Sequence, residues 1–220
     1  MDLLLIALAP VFIILIYIYI RDKYEKEPIG LLVKALVLGG LTVIPIFFAE
    51  KALDAKGVHL TGYSSVAYTA FVVAAFTEEI FKFIALYLLI WNNKEFNEKF
   101  DGIVYAVFIS LGFAAVENVM YVFQYGHATG ITRALTAVPG HALFGVAMGY
   151  YFGLAKLSPK NKPVNFLLAL TVPIALHGLY DFILMTQHPY LVVAFIPFLY
   201  FLWKSGFKKM KELSDNSRFR

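Results

Sequence analysis

Residues 64–91 read SSVAYTAFVVAAFTEEIFKFIALYLLIW. The run is long enough to cross a bilayer as a helix, yet it carries Glu78, Glu79 and Lys82 in its interior. Each such group costs at least ~2.5 kcal/mol to place in the hydrocarbon region. Glu78 and Lys82 are four residues apart and share a helix face, so a buried ion pair is the bland reading and a reactive site the sharp one.

The rest of the chain shows which solvent this helix meets. Its 220 residues are 60% hydrophobic, 17% aromatic and only 15% charged, and the mean hydropathy is +0.71. That composition lies outside the range of soluble globular domains and implies an all-α polytopic membrane protein. The chain has no cysteine, which excludes disulfides, a thiol nucleophile and thiolate metal ligands. A net charge of +4 would suggest nucleic acid for a soluble protein. Here the basic residues flank apolar segments without interleaved aromatics, so no nucleic-acid partner is expected and the lipid bilayer is the partner surface.

Seven segments reach or approach the length of a span: 3–20, 29–49, 65–91, 102–125, 134–154, 164–185 and 190–207. The first begins at Asp2, stays apolar for most of its length and ends in charge, unlike a cleaved signal peptide. Connections are short, so residues 1–220 read as one transmembrane domain: a first span and basic loop (1–28), a central set of helices (65–185) and a basic cytoplasmic tail (208–220). Loop charges orient it. Arg21, Lys23, Lys26, Lys94, Lys99, Lys156, Lys160, Lys162 and the six basic residues from Lys204 onward fall on one side, against only Lys51, Lys56 and Arg133 on the other. The excess of positive charge inside predicts an N-out, C-in arrangement.

On this topology the intramembrane ionisable groups converge. Glu117 and Asn118 in span four, His141 in span five and His177 in span six each lie about eight residues, or ~12 Å, from the outer ends of their helices. Asp181 is one turn beyond His177, and Glu78 and Glu79 lie slightly deeper. His141 begins a stripe with Gly145, Gly149 and Gly153; the stripe reads as helix packing, and it puts His141 on the inward face. A lone membrane histidine is usually a hydrogen bonder between helices, but six ionisable groups at one depth point to a site among spans three to six. His59, His127 and His188 lack that setting and read as surface residues.

Carboxylates and imidazoles in a partly dry cavity suit two classes of chemistry. Peptide hydrolysis needs an activated water, stabilisation of a tetrahedral oxyanion and a proton for the leaving amine; two histidines and a carboxylate can also hold zinc, with a further glutamate as base. A proton- or ion-coupled transporter could use the same cluster as a relay. Against transport, the two halves show no paired repeat or matched broken spans, and the groups occupy one layer.

The motifs themselves carry a resemblance. EEIFK at 78–82 resembles the EExxK motif, FAAVEN at 113–118 the FxxxEN motif, His141 in HALFG the single-histidine motif, and HGLYD at 177–181 the HxxxD-type motif of the PrsW intramembrane proteases, distant relatives of the CAAX-processing and bacteriocin-processing membrane enzymes. The likeness extends from RDKYEKEP after the first span through FDGIVYAVFISLGFAAVEN. It implies a multi-pass protease of the bacterial cell membrane that makes the first cut in a single-span anti-sigma factor, on the extracytoplasmic side, during regulated intramembrane proteolysis. It also implies Glu78, Glu79, Glu117, His141, His177 and Asp181 as catalytic residues, with Lys82 and Asn118 in support. Glu78 would then activate water, Glu79 and Lys82 form a supporting pair, and Asp181 orient His177. His141 and His177 would serve either as oxyanion stabilisers or, with Glu117, as zinc ligands. There is no HExxH, so the likeness leaves metal-dependent and glutamate-only catalysis both open.

Overall fold

The computed structural model describes residues 2–220, and among them the regular structure is entirely helical. Helix α1 spans Asp2–Arg21, α2 Ile29–Leu41, α3 Val43–Asp54, α4 Gly62–Tyr68, α5 Thr77–Ile90, α6 Lys99–Tyr125, α7 His127–Leu135, α8 Ala137–Leu157, α9 Lys162–Met185 and α10 Pro189–Asp215. A π-helical stretch, Thr69–Phe76, joins α4 to α5 without a break. The expected spans are thus seven long rods in the expected order, with two of the rods built from more than one piece. Five of them, 2–21, 29–54, 99–125, 162–185 and 189–215, are long and apolar enough to cross a membrane.

Local chemistry explains the irregularities. The rod 29–54 is interrupted at Thr42, between α2 and α3, where Pro45 has no N–H for the Leu41 carbonyl four residues back, and the Thr42 hydroxyl donates to the Gly39 carbonyl at 2.6 Å. Two features extend the sequence reading. Residues 127–133, expected as a connection, and the first two residues of the expected fifth span form a separate helix, α7, which starts after Gly126 at φ +82°. The basic segment 208–215, expected as tail, continues α10: Met210 and Leu213 are buried, and the Tyr150 hydroxyl donates to Glu212 at 2.8 Å.

Helix α6 is the axis of the bundle, and every residue from Phe100 to Ala114 is buried. In lipid, helices associate through close packing, because the tails are as apolar as the side chains, so small residues decide where backbones touch. On one side α2 presses against α6: a Cβ on Gly39 would lie 2.0 Å from the Ile109 carbonyl oxygen, and one on Gly112 2.0 Å from that of Leu36. On the other side α8 does the same, Gly149 against the Gly102 oxygen at 2.2 Å and Gly153 against that of Lys99 at 2.3 Å. The glycine stripe therefore packs α8 on α6. Outward-facing apolar residues such as Ile13, Phe48, Leu88 and Ile196 are more than half exposed, as a lipid-facing surface requires.

This packing makes a sharp expectation. Gly149→Val should destabilise the protein in detergent or nanodiscs by on the order of 1–3 kcal/mol, since its side chain meets backbone that cannot rotate away. Gly30→Val, where nothing lies within 4 Å of the added Cβ, should leave the melting temperature nearly unchanged.

Candidate active site

The site begins in the π-helical stretch. Such stretches are rare and their wider turns often sit at functional positions; this one ends at Phe76, and the Thr77 hydroxyl that follows donates back to the Val73 and Ala74 carbonyls. From there α5 points Glu78, Glu79 and Lys82 inward, and all three are buried. Lys82 stands four residues after Glu78 and three after Glu79, so its ammonium straddles both carboxylates at 2.9 Å each. Its third neighbour is His141 Nδ1 at 3.4 Å, and the Phe113 ring lies below it at 4.1 Å.

Helices α6, α8 and α9 complete the cluster. His177 Nδ1 lies 3.0 Å from Glu79 Oε1 and 3.9 Å from Glu78 Oε2, and its Nε2 lies 3.4 Å from Asp181 one turn on. The Phe144 ring stacks on His177 at 4.8 Å. His141 Nε2 contacts Glu117 at 3.0 Å, and the Ser110 hydroxyl ties the His141 carbonyl to α6 at 2.7 Å. Because Lys82 can only donate, the network assigns Nδ1 of His141 as acceptor and its Nε2–H as donor to Glu117. Asn118 points the other way: its amide donates to the Ala7 carbonyl of α1 at 2.7 Å. All the residues singled out in the sequence thus lie in one connected network, with Asn118 on its rim.

Two participants were not foreseen. Arg133, counted as a loop charge, enters from α7; its Nη2 donates to Glu117 at 2.6 Å and its Nε to Asn118 at 2.8 Å. Glu50, at the end of α3, lines the same cavity. The only sequence signal for either was an ionisable residue beside an apolar run at the same end of the bundle. The cavity has a volume of about 710 Å³, and its wall includes Glu78, Glu117, Arg133, His141, His177 and Asp181. Glu79 is fully buried beneath it.

One donor atom each from Glu78, Glu79, His141 and His177 lie within 4.8 Å of one another, and Glu79 Oε2 is a buried oxygen without a partner. Two imidazoles and two carboxylates suit a borderline divalent ion such as zinc. The Lys82 ammonium contacts three of these four residues, so an ion and Lys82 compete for the same charge. Glu117 lies outside that group and holds His141 and Arg133.

Comparison with known proteins adds an independent finding. The family model described as PrsW family intramembrane metalloprotease matches residues 27–203. Protease PrsW of Oceanobacillus iheyensis is 38% identical over 210 residues, covering 96% of this chain and 95% of that protein. Its counterpart in Clostridioides difficile is 36% identical over 224 residues, 99% and 94% of the two chains. That of Bacillus subtilis is 38% identical over 206 residues, 93% and 92%. No solved structure matches.

The buried triad of Glu78, Glu79 and Lys82 sets a stability test. Lys82→Met should cost about 3–5 kcal/mol, because it strands carboxylates away from water. The double variant Glu79→Gln/Lys82→Met should cost less than the two single changes added together, which a double-mutant cycle on thermal unfolding in nanodiscs measures.

Proposed function

The chain belongs to the PrsW family of intramembrane metalloproteases, a multi-pass bacterial membrane protein, and on that premise we propose that its Glu78-centred cluster hydrolyses a peptide bond in a single-span membrane protein. The observation that carries this is the meeting of four helices' carboxylates and imidazoles at one cavity. Of the two adjacent glutamates Glu78 lines that cavity, and Glu79 is enclosed against Lys82 and His177.

In the proposed reaction Glu78 takes a proton from a water in the cavity as the water oxygen attacks the scissile carbonyl carbon. The resulting oxyanion develops in the cavity beside the His141 and His177 rings, with the Lys82 charge buried behind them, an arrangement of charge and dipoles that is already oriented. Arg133 fixes Glu117, and Glu117 fixes the tautomer of His141; Glu79 and Asp181, one at each ring nitrogen, fix the orientation of His177. Collapse of the intermediate breaks the C–N bond as the proton passes from Glu78 to the departing amine. His141, His177 and Glu79 are the residues that would hold zinc, with Glu79 taking the place of Glu117 because Glu79 is the one whose donor atom lies within 4.8 Å of both imidazoles' and whose Oε2 has no partner. When bound, the metal supplies polarisation of the carbonyl and a more acidic water.

The substrate we propose is a single-span anti-sigma factor, cut first on its extracytoplasmic side. Support comes from the cavity's place near the C-terminal end of α6, at the end of the bundle away from the basic loops that mark the inside. Membership of a protease family displaces the transporter reading, which rested on the same residues.

Glu78→Gln and His177→Ala should each lower cleavage of a co-expressed single-span substrate at least ~100-fold while the protein still inserts, with the cut mapped by mass spectrometry. Unchanged cleavage in both would reject the assignment. Chelation should abolish cleavage, and restoring zinc should recover it in the wild type but not in His177→Ala.

A further inference from the structure

A second acidic cluster lies at the opposite end of α6, sixteen residues or about 24 Å along the helix from Glu117. Glu25 and Glu27 come from the segment between α1 and α2, and Asp101 from the first turn of α6. One carboxylate oxygen from each lies within 4.8 Å of the others. Asp22 and Glu98 adjoin them, and both are buried. No lysine or arginine pairs with any of these five acids among the described residues. Two lysines close enough to act on them, Lys26 and Lys156, direct their ammonium groups at the Tyr19 and Trp91 carbonyls.

The hydrogen bonding of the cluster is one-sided. Glu25 accepts from the Asn97 amide through Oε1 at 2.9 Å, Glu27 accepts from the Tyr105 hydroxyl through Oε2, and Asp101 accepts the Asn97 and Glu98 backbone N–H groups through Oδ2 at 2.8 and 2.7 Å. In each case the other oxygen is buried and has no partner, as do both oxygens of Asp22 and the side-chain oxygen of Asn97. Asp22, Glu27 and Asp101 are 1%, 2% and 0% exposed. Leaving such groups unsatisfied costs roughly 1–3 kcal/mol each, and more when charged. Carboxylates held by one oxygen and presenting the other are arranged as ligands oriented by an outer shell.

We propose that this pocket is a binding site for a hard divalent cation, held by Glu25, Glu27 and Asp101 with Asp22 beside them. All the donors are oxygens, which selects calcium, magnesium or manganese over zinc. The three donor oxygens lie within 4.8 Å of one another, about twice a calcium–oxygen bond of about 2.4 Å, a spacing that brings them round one shared ion. The ion would tie the segment after α1 to the start of α6. Through Glu98, which accepts from the Ser217 hydroxyl, the tie extends to the end of α10. Burial pushes the Glu27 carboxyl up to about 9, with the Asp101 charge adding to it, and pushes Asp22 up to about 7. Protons on these same buried carboxyls are the rival occupant of the pocket.

Manganese titration of the full chain in nanodiscs, read by electron paramagnetic resonance, separates the two. The wild type should bind one Mn²⁺ more per chain than Glu25→Gln or Glu27→Gln, or bind it about tenfold more tightly, with displacement by Ca²⁺ or Mg²⁺ and a cation-dependent rise in melting temperature. Glu25 is only half-buried, so its variant keeps the test valid if Glu27→Gln does not fold. Absence of saturable binding below ~1 mM, or identical isotherms for the wild type and Glu25→Gln, would overturn the site.

Discussion

One lysine in a dry helix bundle organises the active end of this protein. The Lys82 ammonium cannot be solvated where it lies, and the Glu78 and Glu79 carboxylates cannot be either, so each depends on the others for its charge to be tolerated. The mutual dependence is geometric as well as electrostatic. A single α-helical turn sets the spacing that lets one nitrogen reach both carboxylates. His177 docks on Glu79 and His141 on Lys82, so the imidazoles of α8 and α9 are positioned by the charge balance of α5.

Helix α6 supplies the frame. Its glycines and those facing it bring α2 and α8 to backbone contact, a closeness that stiffens the helix and fixes Glu117 relative to His141. The same helix carries Asp101 at its other end, so one buried rod links two acidic pockets of different character. The first mixes carboxylates with imidazoles and a lysine, a set suited to proton transfer. The second is all oxygen, with an outer shell that holds each carboxylate by one side only.

Much of this was legible before any coordinates. An ionisable residue inside an apolar run is conspicuous, which is why Glu78, Glu79, Lys82, Glu117, His141, His177 and Asp181 could be read from the chain. Arg133 could not, because an arginine at a helix boundary is ordinary until its target, Glu117, is known to face it. Glu50 was hidden in the same way at the end of a span. The helix α7 was missed because its nine residues are too few and too polar on average to read as a span. The acids of RDKYEKEP and FDG read as loop chemistry, since nothing in their spacing says that the two segments meet.

What the sequence determined by itself was the solvent and the inventory: long apolar runs can satisfy their backbone polar groups in lipid only as helices, and charged residues within them must face one another. What tertiary structure alone decided was pairing and access. Glu78 and Glu79 are adjacent and chemically identical, yet one lines the cavity and the other is sealed beneath it. That difference comes from how α9 packs over the π-helical stretch that leads into α5, a relation between distant segments that no local spacing encodes.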